Sequence, residues 1–150
     1  MVINIRKGTP NDIPAVLDLI RELAAYEKAP HEVTVTASQM QAWGFGEEKL
    51  FDFFVAEYEG VVIGLALYYF KYSTWKGKCL FLEDIIVNEG FRRHGAGSLL
   101  FEAVRAVANE LKVGRMEWQV LEWNESAIQF YKKWATVFDN EWINCKIVQP

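Results

Sequence analysis

The pattern of apolar and polar positions changes period several times along the chain, and each change marks a predicted element. Ile13, Val16, Leu17, Ile20 and Leu23 recur at three- and four-residue spacing within "TPNDIPAVLDLIRELAAYE", which predicts an amphipathic helix. Thr9 is placed to cap it, Pro10 suits its first turn, and Asp12 completes a capping pattern. Before it, "VINIRKG" reads as a short strand. A second helix is predicted in "TASQMQAWGFG", with Thr36 as cap, Gln39 three residues on and Gly44 as its stop. "FDFFVAE" and "VVIGLALYYF" flank the tight "YEG" turn, a hairpin signal, with Gly64 as a candidate bulge. "CLFLEDIIV" is a third long strand. After a glycine-rich turn come the helix "GSLLFEAVRAVANELK", the strand "RMEWQVL", the helix "NESAIQFYKKW" and a terminal strand "EWINCKIV". The expected order is β-α-α-β-β-β-α-β-α-β, an α+β (mixed α/β) chain.

Length and composition narrow this further. With 150 residues, 51% hydrophobic and 15% aromatic, the chain suits one domain over 1–150 with a real core. No repeat, low-complexity tract or linker interrupts it. A formal charge of -4 and a pI near 5.3 leave no broad positive field, so nucleic acid is not an expected partner and any bound anion must be held locally. "VVIGLALYYF" is far shorter than a membrane span and "MVINIRKGTP" lacks a signal peptide's apolar core, so a soluble, cytoplasmic protein is expected. Cys79 and Cys145 read as buried small hydrophobes. His31 and His94 have no second ligand nearby, so no metal is expected. Trp43, Trp118 and Trp142 read as packing residues, and the acidic pair in "AEYEG" as a solvated hairpin tip.

The chemistry concentrates in "FRRHGAGSLLFEAV". Gly95, Ala96 and Gly97 lie where a strand hands over to a helix, and the free N–H groups and positive dipole end of a helix N-terminus form an anion site. Small residues keep side chains clear, while Arg92 and Arg93 add forked donors suited to phosphate oxygens. No P-loop or dinucleotide fingerprint is present. On its own this pattern also fits an ordinary strand-to-helix turn with a basic edge.

Arg92-x-x-Gly95-x-Gly97 after "LEDIIV", with "WNESAIQFYKKWA" one strand later, resembles the Gcn5-related N-acetyltransferase (GNAT) superfamily. Within it, "LIRELAAYE", "GFGEE", "ALYYFKYSTWKGK", "FLEDIIV", "RRHGAGS" and "EWNESAIQFYKK" resemble the spermidine/spermine and thialysine acetyltransferase branch. The resemblance implies a central mixed, mostly antiparallel twisted sheet flanked by helices, acetyl-CoA as cosubstrate, a small-molecule amine as acceptor and a homodimer. It further implies that the cofactor is held by Ile85, Ile86 and Val87, by the loop Arg92, Arg93, His94, Gly95, Ala96, Gly97 and Ser98, and by Asn124, Ala127 and Tyr131. Tyr26, Glu27, Trp75, Glu83 and Asp84 are the implied substrate contacts.

Each role has a chemical reason. An alkylammonium with a pKa of about 10.4 must lose a proton before its nitrogen can attack, and Glu83 is the expected acceptor, working through a water. Strand alternation sends Glu83 and Asp84 to opposite faces unless a bulge intervenes. Tyr131 is the expected acid for the departing sulfur, and Asn124 the cap of its helix. Two features depart from the polyamine-acetylating relatives. Ser73 stands where they carry an acid for a distal ammonium, so short cations or lysine-like amino acids are expected to be better acceptors than spermine. Trp134 replaces the usual glycine. An acetyltransferase acting on protein N-termini or lysines, and a non-catalytic CoA-binding module, are the alternatives.

Overall fold

Strand β1 (Asn4–Lys7), two helices α1 (Ile13–Tyr26) and α2 (Ala37–Phe45), and the strands β2 (Asp52–Tyr58), β3 (Val61–Ser73) and β4 (Gly77–Val87) follow the predicted order. After them come α3 (Ala96–Glu110), β5 (Arg115–Glu117) and α4 (Glu125–Tyr131). The structure, a computed structural model, describes residues 1–150 and divides into Met1–Gln119 and Val120–Pro150.

In the first unit the strands form one five-stranded sheet of order β1-β2-β3-β4-β5. The first three pairings are antiparallel and β4–β5 is parallel. Glu59 and Gly60 turn the β2–β3 hairpin, both at positive φ (49° and 78°), as the right-handed strand twist favours. The predicted irregularity at Gly64 is present: Ala56 faces Gly64 and Glu57 faces Val62, leaving Ile63 without an opposite residue. A Cβ on Gly64 would come within 3.0 Å of Leu100 Cδ1, so the glycine admits α3 close to the sheet.

Helices cover the two sheet faces. Ile13, Val16 and Leu17 of α1 and Met40 of α2 pack with Phe53, Val55, Leu65 and Leu67. Leu100, Phe101 and Val104 of α3 are fully buried, on the face to which Gly64, neighbour of Leu65, is turned by strand alternation. Asp12 does more than cap: it accepts Thr9 N (2.8 Å) and a fork from Arg6 Nη1 and Nη2 (2.8 and 2.9 Å). Arg6 Nη2 also reaches Glu57 (2.9 Å), so Glu57 is an anchor for β1 and not a free hairpin-tip charge. The Arg6 hydrogen bonds are the main reason the Asp12 carboxyl is held below its ordinary pKa.

Several boundaries move. The α2 cap is as predicted, with Thr36 Oγ1 accepting Gln39 N (3.1 Å) and Gln39 Oε1 accepting Thr36 N (2.9 Å). Gly44, however, lies inside the helix, which runs to Phe45 and closes with Gly46 N donating to Ala42 O (2.9 Å). A Cβ on Gly44 would stand 2.9 Å from the Phe51 ring, so this glycine serves packing. The predicted strand "RMEWQVL" pairs only over Arg115–Glu117, because β4 offers it a partner only at residues 79–81.

Ser73 closes the β3–β4 hairpin. Its Oγ accepts Trp75 N and Lys76 N (both 3.1 Å) and Arg115 Nη2 (2.7 Å). Position 73 is thus taken up by the turn, and an acid there meets turn amides and Arg115 before any distal ammonium. Ser73→Asp should therefore raise the melting temperature slightly and leave the ratio of short-amine to spermine turnover within about twofold, because an aspartate satisfies the same donors and gains only an exposed ion pair. A shift toward spermine of about tenfold in parallel kinetics would return position 73 to the substrate site.

In the second unit Asn124 caps α4, its Oδ1 accepting Ala127 N at 3.2 Å. The helix ends at Tyr131 instead of reaching Trp134. There Tyr131 O accepts Thr136 Oγ1 (2.7 Å), and Phe130 lies edge-on to Tyr131 and Trp134 at 5.3 and 5.0 Å. The predicted strand "EWINCKIV" does not form, and no residue from 135 onward is in a helix or strand. Alternation alone does not make a strand; a ladder partner is required. Cys145 and Trp142 are consequently exposed, unlike the buried Cys79.

Candidate active site

The third antiparallel pairing contains a second irregularity. Leu67 faces Asp84 and Tyr68 faces Leu82, which leaves Glu83 as an extra residue in β4. A bulge of this kind cancels the alternation of the pleat. Directly opposed residues share a sheet face, so Asp84 lies on the face of Leu67, and Glu83 reaches the same face, where its Oε1 accepts the Tyr69 hydroxyl at 3.1 Å. Both carboxylates of "LEDIIV" therefore serve one side of the sheet.

The end of α1 completes the cluster. Burial raises the Glu27 carboxyl above its ordinary pKa. Asp84 is raised to about 7, first by burial and then by the charges of Glu83 and Glu27. A buried carboxyl flanked by two further acids forms a receptor for a cation, and a carboxyl titrating near 7 is suited to proton transfer at neutral pH.

The anion side is assembled next to it. Arg92 Nε donates to Val87 O (3.0 Å), and its guanidinium lies over the Tyr26 ring at 5.6 Å. This ties the end of β4, the end of α1 and the loop together. Arg93 and Gly95 both adopt positive φ (68° and 87°), and Gly95 is the N-cap residue of α3, with Leu99 N donating to its carbonyl (3.1 Å). No acidic side chain lies in the first turn of α3, so the positive end of this 15-residue helix is not neutralised. Arg92, Arg93, His94 and Gly95 are exposed, Gly97 and Ser98 half-buried and Ala96 buried. Backbone donors at a helix start beside two exposed arginines fit a pyrophosphate.

β4 also has an open edge. β5 leaves it after Phe81, so residues 82–87 carry no strand on that side, an edge to which an extended ligand can add. Ile86 packs in the core, and because Asn88 N donates to Ile63 O the alternation of the ladder pairs the Ile86 backbone with Leu65 of β3 and turns only the Ile85 and Val87 backbones to the open edge. No group of three His, Cys, Asp or Glu side chains converges in a metal-holding arrangement.

Within Met1–Gln119, then, Tyr26, Glu27, Glu83, Asp84 and the loop of residues 92–98 come together. Trp75 does not join them. It is exposed on the Ser73 turn, and the run of β4 from Gly77 to Glu83 amounts to about 20 Å of strand. Tyr69 escaped the sequence reading; the only signal was its position in "LYYF", two strand positions beyond Leu67, which becomes meaningful once the register is known.

The sequence model of the Acetyltransferase (GNAT) family matches residues 14–135. The chain belongs to this family and is an N-acetyltransferase. Thialysine N-epsilon-acetyltransferase from Bos taurus is 39% identical over 136 residues, covering 85% of this chain and 80% of that protein. L-ornithine N5-acetyltransferase from Arabidopsis thaliana is 27% identical, covering 98% and 85%. Among solved structures, a possible acetyltransferase from Clostridium difficile 630 superposes with a TM-score of 0.83 at 19% identity, over 99% of this chain and 100% of that one. That likeness shows the α+β fold.

Proposed function

We propose that this enzyme acetylates the primary amine of a small, amino-acid-like cation such as thialysine, and that long polyamines are poorer acceptors. The observation that carries the proposal is the bulge that brings Glu83 and Asp84 to one sheet face beside Glu27. Acetyl-CoA supplies the acetyl thioester. Its pyrophosphate would be held by the loop of residues 92–98 and its extended arm by the open edge at Ile85 and Val87.

The chain's own residues handle charge and protons. Glu27 and Asp84 attract the ammonium, and Glu83, the exposed member, takes the proton that must leave the nitrogen. Asp84 lies deeper than Glu83 and next to it, so the two carboxylates act as one coupled proton-accepting unit. Tyr131 is the proposed acid, on the strength of the "QFYKK" motif in which it stands. The relatives named for thialysine and ornithine both act on side-chain amines of amino acids, which supports this substrate class. The family match runs from residue 14 to 135, which supports one catalytic domain. The two free cysteines fit a reducing, cytoplasmic compartment. A homodimer is part of the reading: Val137, Trp142, Ile143, Ile147 and Val148 are each at least 73% exposed, and a second copy is the partner proposed to cover them.

A panel of thialysine, lysine, ornithine, putrescine, spermidine, spermine and an unblocked peptide, assayed by CoA thiol release, tests the substrate class. The amino acids should exceed spermine in kcat/KM by roughly tenfold or more. A preference for spermine would overturn the proposal, and turnover of the peptide alone would favour a protein acetyltransferase.

A further inference from the structure

Glu83 is the one residue of β4 between Leu82 and Asp84 without an opposite number on β3. The pleat therefore does not dictate where its side chain points, and as an exposed residue it is not held by packing either. A proton acceptor on a reacting amine has to be aimed, because its efficiency falls steeply with misplacement.

Tyr69 is built to aim it. It lies directly across from Phe81, with the two rings 5.4 Å apart and tilted by 32°, and it is half-buried. From this fixed ring the hydroxyl donates to Glu83 Oε1 at 3.1 Å. Burial, then the neighbouring charge of Glu83, push the phenol up to about 12, so it remains a donor throughout the range in which the enzyme works. The hydrogen bond engages one of the two carboxylate oxygens of Glu83.

We infer that Tyr69 is a positioning residue for the reaction: its hydroxyl pins one oxygen of Glu83 and turns the other toward the acceptor amine. This rests on the reading of Glu83 as the proton acceptor. The device uses the bulge twice. The extra residue frees Glu83 from the ladder, and the missing pleat constraint is replaced by one side-chain hydrogen bond from the neighbouring strand.

The test is a double-mutant cycle with Tyr69→Phe and Glu83→Gln, measured as kcat and as KM for acetyl-CoA and for thialysine. Tyr69→Phe keeps the ring and its packing on Phe81. It should lower kcat about tenfold, the worth of a hydrogen bond to a charged group, with KM for acetyl-CoA and the melting temperature close to wild type. In the Glu83→Gln background the same change should cost less than about twofold, since the two residues act as a unit. Equal losses in both backgrounds would overturn the inference and assign Tyr69 to packing. A large loss in Glu83→Gln with none in Tyr69→Phe would overturn Tyr69's role alone. Wild-type turnover in Glu83→Gln would remove the proton-acceptor reading and this inference together.

Discussion

Replacing Asp84 by Asn should lower kcat/KM for the amine by roughly a hundredfold near neutral pH, as expected for losing half of an acid-base unit, and should make the protein more stable above pH 7. The two effects come from one cause. Asp84 is desolvated and faces the charges of Glu83 and Glu27, which together raise its carboxyl from 3.8 to about 7. In the unfolded chain it ionises near its ordinary value, so between about pH 4 and 7 the folded protein holds the proton that the unfolded chain has lost. Stability contributed by the protonated form is thus present at low pH and is lost as pH rises through 7. The introduced asparagine would carry no charge to desolvate. The stabilisation of the variant over wild type should be absent below about pH 4 and largest above 7, with a ceiling of about 4 kcal/mol. Thermal melts at about pH 5 and about pH 8, paired with kcat/KM against pH, check both halves. Wild-type kcat/KM should climb through about pH 7 as Asp84 ionises, and the asparagine variant should lose that limb. A variant less stable than wild type on the alkaline side would refute the desolvated-carboxylate account.

The second large effect is expected at Gly97. It lies one residue inside α3, after the buried Ala96, where the helical backbone tolerates a β-branched residue. Gly97→Val should therefore fold, yet its side chain would stand at the helix start to which the proposed pyrophosphate site assigns the N–H donors. In wild type, CoA at about a hundredfold excess over its Kd should stabilise the fold by about 2.7 kcal/mol. In Gly97→Val the CoA-induced thermal shift should vanish while the melting temperature without CoA stays near wild type. Gly95 is a poorer choice for this test, because its φ of 87° would strain any side chain and confuse binding with folding. A full CoA shift in folded Gly97→Val would move the pyrophosphate away from this loop.

The helix faces of α1 and α3 were legible in the sequence because a 3.6-residue period needs only local information, and the caps at Thr36 and Asn124 were legible because they act within three residues. The strand-to-helix turn at Gly95 was legible for the same reason: a left-handed N-cap (φ 87°) is a local demand that glycine meets. Glycines were less readable. Gly44 looked like a helix stop, but its lack of a side chain answers the Phe51 ring, a neighbour that only folding supplies. The segment "EWINCKIV" alternates like a strand and is none, since pairing is a property of two segments.

The amine side shows the division most sharply. That "LEDIIV" carries two adjacent acids is a fact of sequence, and so is the chance that they bear on a cationic substrate. By itself the sequence determined the element order as far as α4, the family motifs and which residue types were available for proton transfer and anion binding. It did not determine that Glu83 and Asp84 share a face, that Glu27 returns from α1 to raise Asp84, that Ser73 is occupied by Arg115, or that Tyr69 holds Glu83. Those were decided by the register of β3 against β4 and by the packing of α1 on that sheet, because a bulge is a mismatch in residue count between two paired strands and exists in neither strand alone.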